Sequence, residues 1–425
     1  MGANDDFQSF DQHAVIKVVG IGGGGGNAVN RMIEAGLSDV QFIVINTDAQ
    51  DLKKSNAPVR LQIGADALGA GAKPEVGRQA CEADRDRVRE LLVGGDLVFL
   101  TLGLGGGTGT GAAPIVAQEA ADTGALTIAI VTLPFSFEGE ERMNNAAKGL
   151  EELEKHVDTL IVVPNDRIAE LSNANTSLLD AFKHGDEVLH NGVRAISELI
   201  TVPGLINLDF SDVRTVMQAR GRALMGIGIA DGENRAMRAA EEAVVCPLLE
   251  QSNINGAKGV IVNVRGGTDV RMHEVQQANE YIKNNVSQDA TIITGAVIDR
   301  EERPEFQVTV IAAGFPRKDI SAYLNRSKEA QAQKAAAMAS AALAAKTGER
   351  KGIPPELKPA HQDKNSPNRP AAKPTQMPIP GGDDLFNLPE KKPNVSPFIT
   401  TSVEEPEDMN IPAFIRARRK RQESR

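Results

Sequence analysis

The sequence has no tryptophan, only two tyrosines and only two cysteines. Cys81 and Cys246 lie in no motif spacing, so we expect small buried side chains rather than a redox pair. Apolar runs are also short: the run at 125–133 is well below the ~20 residues that a membrane-spanning helix needs. The sequence does not start with a charged segment followed by an apolar one, so no signal peptide is expected. These absences favour a soluble, cytoplasmic protein.

Basic charge is also in deficit, because the 425 residues have a formal net charge of −10. This balance disfavours nucleic acid as the main partner of the globular part. The length allows two or three domains.

Glycine, by contrast, is concentrated in two segments. Residues 103–111 read Gly-Leu-Gly-Gly-Gly-Thr-Gly-Thr-Gly, between an apolar strand pattern at 96–102 and a helical pattern at 112–121. With so few side chains, backbone N–H groups can surround an anion, and the positive end of the helix dipole points the same way. Thr108 and Thr110 add hydroxyl donors. The segment therefore predicts a phosphate-binding loop.

The second glycine segment, 20–26, lies upstream between a strand pattern and a helix pattern. Gly20, Gly22 and Gly25 have the G-x-G-x-x-G spacing, and Asp48 ends the next strand, as in a dinucleotide-binding Rossmann unit. Five consecutive glycines exceed what that fingerprint needs, and a second glycine loop favours a mononucleotide held from two sides. Neither loop has the G-K-[ST] of a Walker motif. An NAD-dependent oxidoreductase stays as the alternative, and a scaffold that binds nucleotide without hydrolysis as a third hypothesis.

The segment Gly105-Gly-Gly-Thr-Gly-Thr-Gly111 is similar to the signature loop of the tubulin superfamily. With its flanking residues, it resembles the FtsZ family of bacterial cell-division GTPases over approximately residues 13–316 and again near the C-terminus. The resemblance implies a GTP-binding α/β domain built on a parallel sheet, joined by a long central helix to a smaller α/β domain. It also implies a GTPase that polymerises head to tail into the cytokinetic ring, beneath the membrane at midcell.

The resemblance implies that GTP or GDP binds to a defined set of residues, and Mg²⁺ is expected with a triphosphate although no carboxylate cage is visible. Phe182 offers a stacking face, and Asp186 can accept both N–H groups that guanine, unlike adenine, presents together. Glu138 and Arg142 suit ribose and phosphate, although their spacing alone is more typical of a surface helix pair. The whole set is Gly23, Gly24, Gly25, Gly26, Asn27, Arg31, Asn46, Asp48, Ala72, Gly105, Gly106, Gly107, Thr108, Gly109, Thr110, Gly111, Pro134, Glu138, Arg142, Asn165, Phe182 and Asp186.

Polar residues are also grouped at 205–213, where Asn207, Asp209 and Asp212 interrupt an apolar segment. One interpretation is that Asp212 only caps the following helix; the other is that the carboxylates orient water or hold a cation for attack on a phosphate. About 20 helical residues separate Phe182 from Pro203, which is ~30 Å. A neighbouring molecule stacked head to tail could supply these carboxylates to the nucleotide. The resemblance to the family's synergy loop implies catalytic roles for all three residues.

Strand patterns at 15–19, 41–45, 96–102, 125–132 and 158–163 alternate with helix patterns and predict a parallel sheet. Ser177 and Asp180 predict the start of a long helix with one apolar stripe. Six regions follow along the chain. They are a disordered N-terminus (1–12), a GTP-binding domain (13–176), the central helix (177–202), a C-terminal α/β domain that begins with the acidic loop (203–317), a disordered linker (318–405) and a partner-binding tail peptide (406–425).

Apolar residues return at the C-terminus after a proline-rich, polar stretch. The resemblance implies that this peptide binds division proteins such as membrane tethers and regulators, while the chain's main partner is itself. Basic residues at 416–421 could add attraction to acidic partners, an anionic membrane or nucleic acid. The residues predicted to dock are Ile411, Pro412, Phe414, Ile415 and Arg416.

Overall fold

The computed structural model describes residues 14–171, 176–202, 209–218, 221–249 and 254–315. Within these ranges, ten strands form a single sheet in the order β3-β2-β1-β4-β5-β6-β7-β10-β8-β9. The strands are β1 (Ile16–Ile21), β2 (Gln41–Asn46), β3 (Val59–Gln62), β4 (Leu97–Gly103), β5 (Leu126–Leu133), β6 (Thr159–Pro164), β7 (Gly221–Asp231), β8 (Gly259–Gly266), β9 (Thr291–Ile298) and β10 (Glu305–Phe315).

Helices cover the sheet. They are α1 (Gly22–Glu34), α2 (Ala49–Lys54), α3 (Pro74–Ala83), α4 (Arg85–Leu92), α5 (Thr108–Asp122), α6 (Glu140–Leu153), α7 (Asn165–Leu171), α8 (Leu178–Thr201), α9 (Phe210–Met217), α10 (Arg235–Val245) and α11 (Met272–Asn284). The predictions for 1–12, 318–405 and 406–425 lie outside the described residues.

The predicted α/β architecture with a parallel sheet is confirmed. The seven strands from β3 to β7 in this sheet order are parallel to one another, whereas β10 runs antiparallel to both of its neighbours, β7 and β8. Neighbouring residues of one strand enter two different cores: Val18 packs in one core with α1 and α8, and Val19 packs in the other with α5. Burial on both faces explains why these strands read as continuous apolar runs.

The two predicted α/β units share the sheet, because β6 pairs with β7 over Thr159–Ile161 and Gly221–Ala223. Strand β7 was not predicted from the sequence. Glycines interrupt its apolar pattern. A Cβ on Gly226 would lie 2.0 Å from the carbonyl oxygen of Ala243 in α10, and a Cβ on Gly228 would lie 2.0 Å from that of Ala239. Glycine is therefore required where α10 packs on this strand, although glycine weakens the pattern of a strand.

The long helix α8 begins as predicted, with the Ser177 hydroxyl accepting a hydrogen bond from the Asp180 N–H at 3.1 Å. Only the later part of its predicted apolar stripe is buried in the core. Leu189, with Val193 and Ile196 one and two turns on, is buried, whereas Leu178 and Phe182 in the first two turns are 59% and 42% exposed. The exposed end of the stripe lies where the functional site is found below.

Both cysteines are free and buried, as expected from their lack of motif spacing. Cys81, on α3, is fully buried, and burial, followed by the nearby carboxylates of Glu82 and Asp84, raises the pKa of its thiol to about 12. The thiolate is the reactive form, so this thiol is inert in the folded protein.

We therefore expect that a water-soluble disulfide reagent at pH 8 modifies neither cysteine in the native protein and modifies both in denaturant. The measurement is the release of the chromophoric thiol before and after unfolding. Rapid modification of native protein would show that the core around α3 opens on the time scale of the reaction.

Candidate functional site

Two helices begin at the carboxyl edge of the sheet, one after β1 and one after β4. Helix α1 starts at Gly22 and α5 at Thr108; neither start has a side-chain cap, and neither first turn contains an acidic residue. The first glycine segment, 20–26, is thus mainly the first turn of α1, and not a loop before it as the sequence predicted. The second, 103–111, keeps a loop at 104–107 between β4 and α5, as predicted, and then enters the first turn of α5. Their backbone N–H groups lack intrahelical partners, so the two helix dipoles create a site for an anion.

A cavity of about 430 Å³ opens between these two helix starts and the side of α8. Such a volume is in the range of small-molecule sites. Twelve of the predicted nucleotide-binding residues line it: Gly23, Gly24, Asn27, Gly106, Gly107, Gly109, Pro134, Glu138, Arg142, Asn165, Phe182 and Asp186.

Sequence reasoning missed seven residues of the wall. Gly185 and Leu189 follow Phe182 at helical spacings of three and seven, so the face of α8 was a signal that could have found them. The seven are Ile21, Gly22, Gly103, Leu104, Thr132, Gly185 and Leu189.

The other ten predicted residues lie off the cavity wall. Several of them pack directly behind the wall. They are Gly25, Gly26, Arg31, Asn46, Asp48, Ala72, Gly105, Thr108, Thr110 and Gly111.

The two threonine hydroxyls of the signature segment bond within the protein. Thr108 Oγ1 lies 2.6 Å from Thr47 Oγ1, and Thr110 Oγ1 accepts a hydrogen bond from the Gly105 N–H at 2.8 Å. Both residues are at least nine-tenths buried. These hydroxyls hold the turn before α5, and neither threonine lines the cavity, so their role as donors to a ligand stays a prediction.

Asp48 is the acid that a Rossmann reading would place on the ribose. Here it is the N-cap of α2, where its carboxylate accepts hydrogen bonds from the N–H groups of Gln50 and Asp51. Asn46 in turn accepts the Asp48 N–H through Oδ1. This capping role accounts for Asp48 without a ligand.

Close packing explains other glycines. A Cβ on Gly25 would lie 2.3 Å from the Thr101 carbonyl oxygen, and one on Gly111 would lie 1.9 Å from the Pro74 carbonyl oxygen. A Cβ on Gly107 would lie 2.6 Å from the Cβ of Ala70, in the 69–73 segment that precedes α3. A larger residue at 107 would therefore displace that segment, and would not simply fill the space of the ligand.

One end of the cavity is suited to a flat, polar ring. Phe182 lies edge-on to Phe135, with ring centroids 5.1 Å apart. Asn165 Oδ1 is buried and has no hydrogen-bond partner among the described residues. Asp186 accepts a hydrogen bond from Arg31 Nε at 3.0 Å, and burial raises the pKa of its carboxyl to about 6. An unsatisfied acceptor and a carboxylate beside an aromatic face can accept N–H groups of a base.

Glu138 lies just before α6, and Arg142 lies in its first turn. They form the helix-type ion pair that their spacing indicates, and Glu138 Oε1 also accepts the Phe135 N–H at 2.8 Å. Both nevertheless line the cavity. The surface-pair interpretation and the ligand-binding one are therefore compatible.

The predicted acidic loop is partly described, and Asn207 lies outside the described residues. Asp209 is the N-cap of α9, accepting the Ser211 N–H at 3.2 Å, so it, and not Asp212, is the capping residue. Asp212 lies in the first turn, and both side chains are exposed. Asp209 therefore has a structural role that Asp212 lacks.

Helix α9 lies at the amino edge of the sheet, away from the cavity. Arg214 Nη2 donates to the carbonyl of Asp96, just before β4, and the Thr159 hydroxyl at the start of β6 donates to the Met217 carbonyl. The cavity wall instead includes Gly103, the last of the seven residues of β4. At ~3.3 Å per residue, the strand alone separates the two by ~20 Å. Asp209 and Asp212 thus lie far from the cavity of their own chain.

No group of three or more His, Cys, Asp or Glu side chains in the described ranges is arranged to hold a metal ion. Among the same residues, no helix is both long and apolar enough to cross a membrane. The predicted docking residues from Ile411 to Arg416 fall outside the described part of the chain.

Comparison with known proteins bears on the whole arrangement. Residues 15–173 match the model of the Tubulin/FtsZ family GTPase domain, and residues 221–316 match that of the FtsZ family C-terminal domain. An empty FtsZ dimer from M. jannaschii is 43% identical, with 70% of this chain and 88% of that chain covered and a TM-score of 0.68. A mutant FtsZ of the same organism is also 43% identical, covering 71% and 91%, with a TM-score of 0.69. A GTPγS-bound protofilament of CetZ2 from Haloferax volcanii is 22% identical, covering 75% and 99% with a TM-score of 0.63, and shares the fold.

Substitutions at two glycines of the 105–111 segment should distinguish a role in packing from a role in nucleotide binding. Gly111→Ala should lower the melting temperature by several degrees, because overpacking between α3 and α5 costs ~1–3 kcal/mol or more. Gly106→Leu should leave it nearly unchanged, because a Cβ on Gly106 meets nothing within 4 Å. Since Gly106 lines the cavity, the leucine should abolish nucleotide binding. Thermal unfolding and calorimetric titration measure the two effects; unchanged nucleotide affinity of folded Gly106→Leu protein would contradict the assignment of the cavity.

Proposed function

The chain belongs to the Tubulin/FtsZ family, and we propose that it is a GTPase that assembles head to tail and hydrolyses GTP at the contact between adjacent subunits. Its filaments would form the cytokinetic ring in the cytoplasm, at midcell beneath the membrane. The observation that carries the proposal is the separation of the cavity and the exposed carboxylates of α9 to opposite edges of one sheet.

The cavity supports GTP as the ligand. The two uncapped helix starts, α1 and α5, can surround the phosphates with backbone N–H groups. At the other end, Asp186 can accept the ring and exocyclic N–H groups of guanine, which adenine does not present together. Phe182 can stack on the base, and Glu138 and Arg142 can contact the ribose or phosphate oxygens.

The rim of the cavity supports docking of a second copy. Phe137, Leu178 and Leu179 are 65%, 59% and 66% exposed, and they flank the wall residues Glu138 and Phe182. Exposed apolar side chains grouped beside a site indicate a protein contact. A contact between opposite edges of the sheet is heterologous and does not close, so its repetition produces a filament. The dimer of the M. jannaschii relative agrees with self-association.

In this arrangement the neighbour's Asp209 and Asp212 would polarise and orient the attacking water beside the γ-phosphate, with Asn207 as a third polar group. Mg²⁺ would neutralise charge on the phosphates. Since the described residues form no carboxylate cage, its ligands would be mainly phosphate oxygens and water.

The alternative, an NAD-dependent oxidoreductase, is not favoured. Gly20 and Gly25 do pack strand against helix, as in a dinucleotide fold. However, Asp48 caps α2, and a second uncapped helix start faces the same cavity. Tight GDP retention without NAD binding would distinguish the two functions.

Removing the charge of the acidic residues should separate binding from turnover. Asp209→Asn and Asp212→Asn should bind GTP like the parent and lose ~100-fold or more of its hydrolysis. Asparagine keeps the N-cap of α9, whereas Asp209→Ala should also lose ~1 kcal/mol of stability. Ser211→Ala, in the same exposed turn, is the matched control and should retain activity. Phosphate release, measured with light scattering, reports turnover and assembly.

A shared site also predicts how rate depends on concentration. In the parent, turnover per molecule should rise steeply with protein concentration, because an isolated subunit lacks the acidic residues. Mixing Asp212→Asn with Gly106→Leu should restore some activity if nucleotide-free subunits can join a filament. Full activity at high dilution would instead indicate a single-chain hydrolase.

We also propose that the tail peptide docks on membrane tethers or regulators. All cavity residues and both described carboxylates lie within 14–315, so deletion of 406–425 should leave GTP turnover nearly intact. Attachment of filaments to a tether-bearing membrane should be lost. Loss of GTP binding in the deletion would contradict an independent tail.

A further inference from the structure

Arg31 contacts the cavity only through another residue. It lies in the third turn of α1 and off the cavity wall, yet its Nε donates to Oδ2 of Asp186 on α8 at 3.0 Å. The two side chains are 30% and 19% exposed, so the pair is partly shielded from water. Within the described part of the chain, Oδ1 of Asp186 has no hydrogen-bond donor of its own.

Few other charges act on Asp186. Glu187, its neighbour on α8, disfavours the ionised form. On α7, Asp166 accepts the Ser136 N–H, and Glu138 and Arg142 on the cavity wall are paired with each other. Strand β5, which packs against α8, has no charged residue. Arg31 is therefore the cation that balances Asp186.

We propose that Arg31 is a positioning residue for guanine selection: its Nε–H holds Oδ2 of Asp186, so that the carboxylate stays ionised and presents Oδ1 to the base. The inference rests on the proposed binding of guanine nucleotide to this cavity. Ionisation matters because a carboxylate only accepts hydrogen bonds, as guanine N1–H and its amino group require. A protonated carboxyl can also donate, and could pair with N1 of adenine.

The direction of the pH effect follows from the contacts. Burial raises the pKa of Asp186 to about 6, and the hydrogen bond and charge of Arg31 oppose that rise. Loss of Arg31 therefore raises the pKa further, and a larger fraction of Asp186 is protonated near neutral pH. Guanine affinity should then be lost as the pH falls, beginning at a higher pH than in the parent.

The test is calorimetric titration of full-length parent and Arg31→Met with GDP and ADP between pH 5.5 and 8.5. The ratio of the two proteins' GDP affinities cancels the titration of the phosphates. We expect this ratio to grow about tenfold from pH 8.5 to 5.5 for each unit by which the pKa rises. The preference of the variant for GDP over ADP should shrink over the same range. Arg31→Lys keeps the cation and should restore much of the parent's profile.

A double-mutant cycle tests whether Arg31 acts through Asp186. Asp186→Asn cannot ionise, so adding Arg31→Met to it should change the pH profile no further. A constant affinity ratio at all pH values, or an equal effect of Arg31→Met in the Asp186→Asn background, would overturn the inference. Where Arg31→Met does not fold, Arg31→Gln makes the same comparison. A parent that binds GDP no better than ADP would overturn the proposed function itself.

Discussion

The arrangement of the site depends on the contact between α1 and the strands β1 and β4. Gly25 in the first turn of α1 lies against Gly20 of β1 and the Thr101 carbonyl of β4, with no room for a side chain. Gly22 likewise lies against Gly109 of α5. Because the backbones approach this closely, the uncapped starts of both helices open on the same cavity. A single methyl group at Gly25 would push α1 away from the sheet and separate the two halves of the cradle.

Much of this could be predicted from the sequence, because the strongest signals are local. Buried strands such as β4 are uninterrupted apolar runs, and glycine segments directly after two of them indicate parallel strands that end at one ligand site. Ser177 and Asp180 identified the start of α8 for the same reason, since a cap is a contact between near neighbours. Twelve residues of the cavity wall were likewise identified before the structure, but mainly through resemblance to a family.

What the sequence could not distinguish is which polar or glycine residue faces a ligand and which serves the fold. Gly106 and Gly111 are the same residue type in one segment, yet Gly106 borders open space and Gly111 packs against the Pro74 carbonyl. Thr110 has the hydroxyl of a phosphate donor, yet it is buried off the cavity wall, where that hydroxyl accepts the Gly105 N–H. Strand β7 was not predicted because its glycines, which weaken the strand pattern, are required by the close packing of α10 on this strand. Each distinction depends on a contact between residues from different elements, which periodicity does not contain.

In the proposed function, the distance between the cavity and the carboxylates of α9 confines activity to an assembly. Nucleotide is proposed to bind in the cavity at the carboxyl edge of the sheet, whereas Asp209 and Asp212 are fixed at the amino edge through α9. The rigid sheet between them is buried on both faces, so no hinge within β4 can bring the two edges together. In the proposed filament, binding precedes contact and hydrolysis follows it. Each new contact between subunits would complete one hydrolytic site. Hydrolysis would then remove the γ-phosphate from the interface and so weaken that contact.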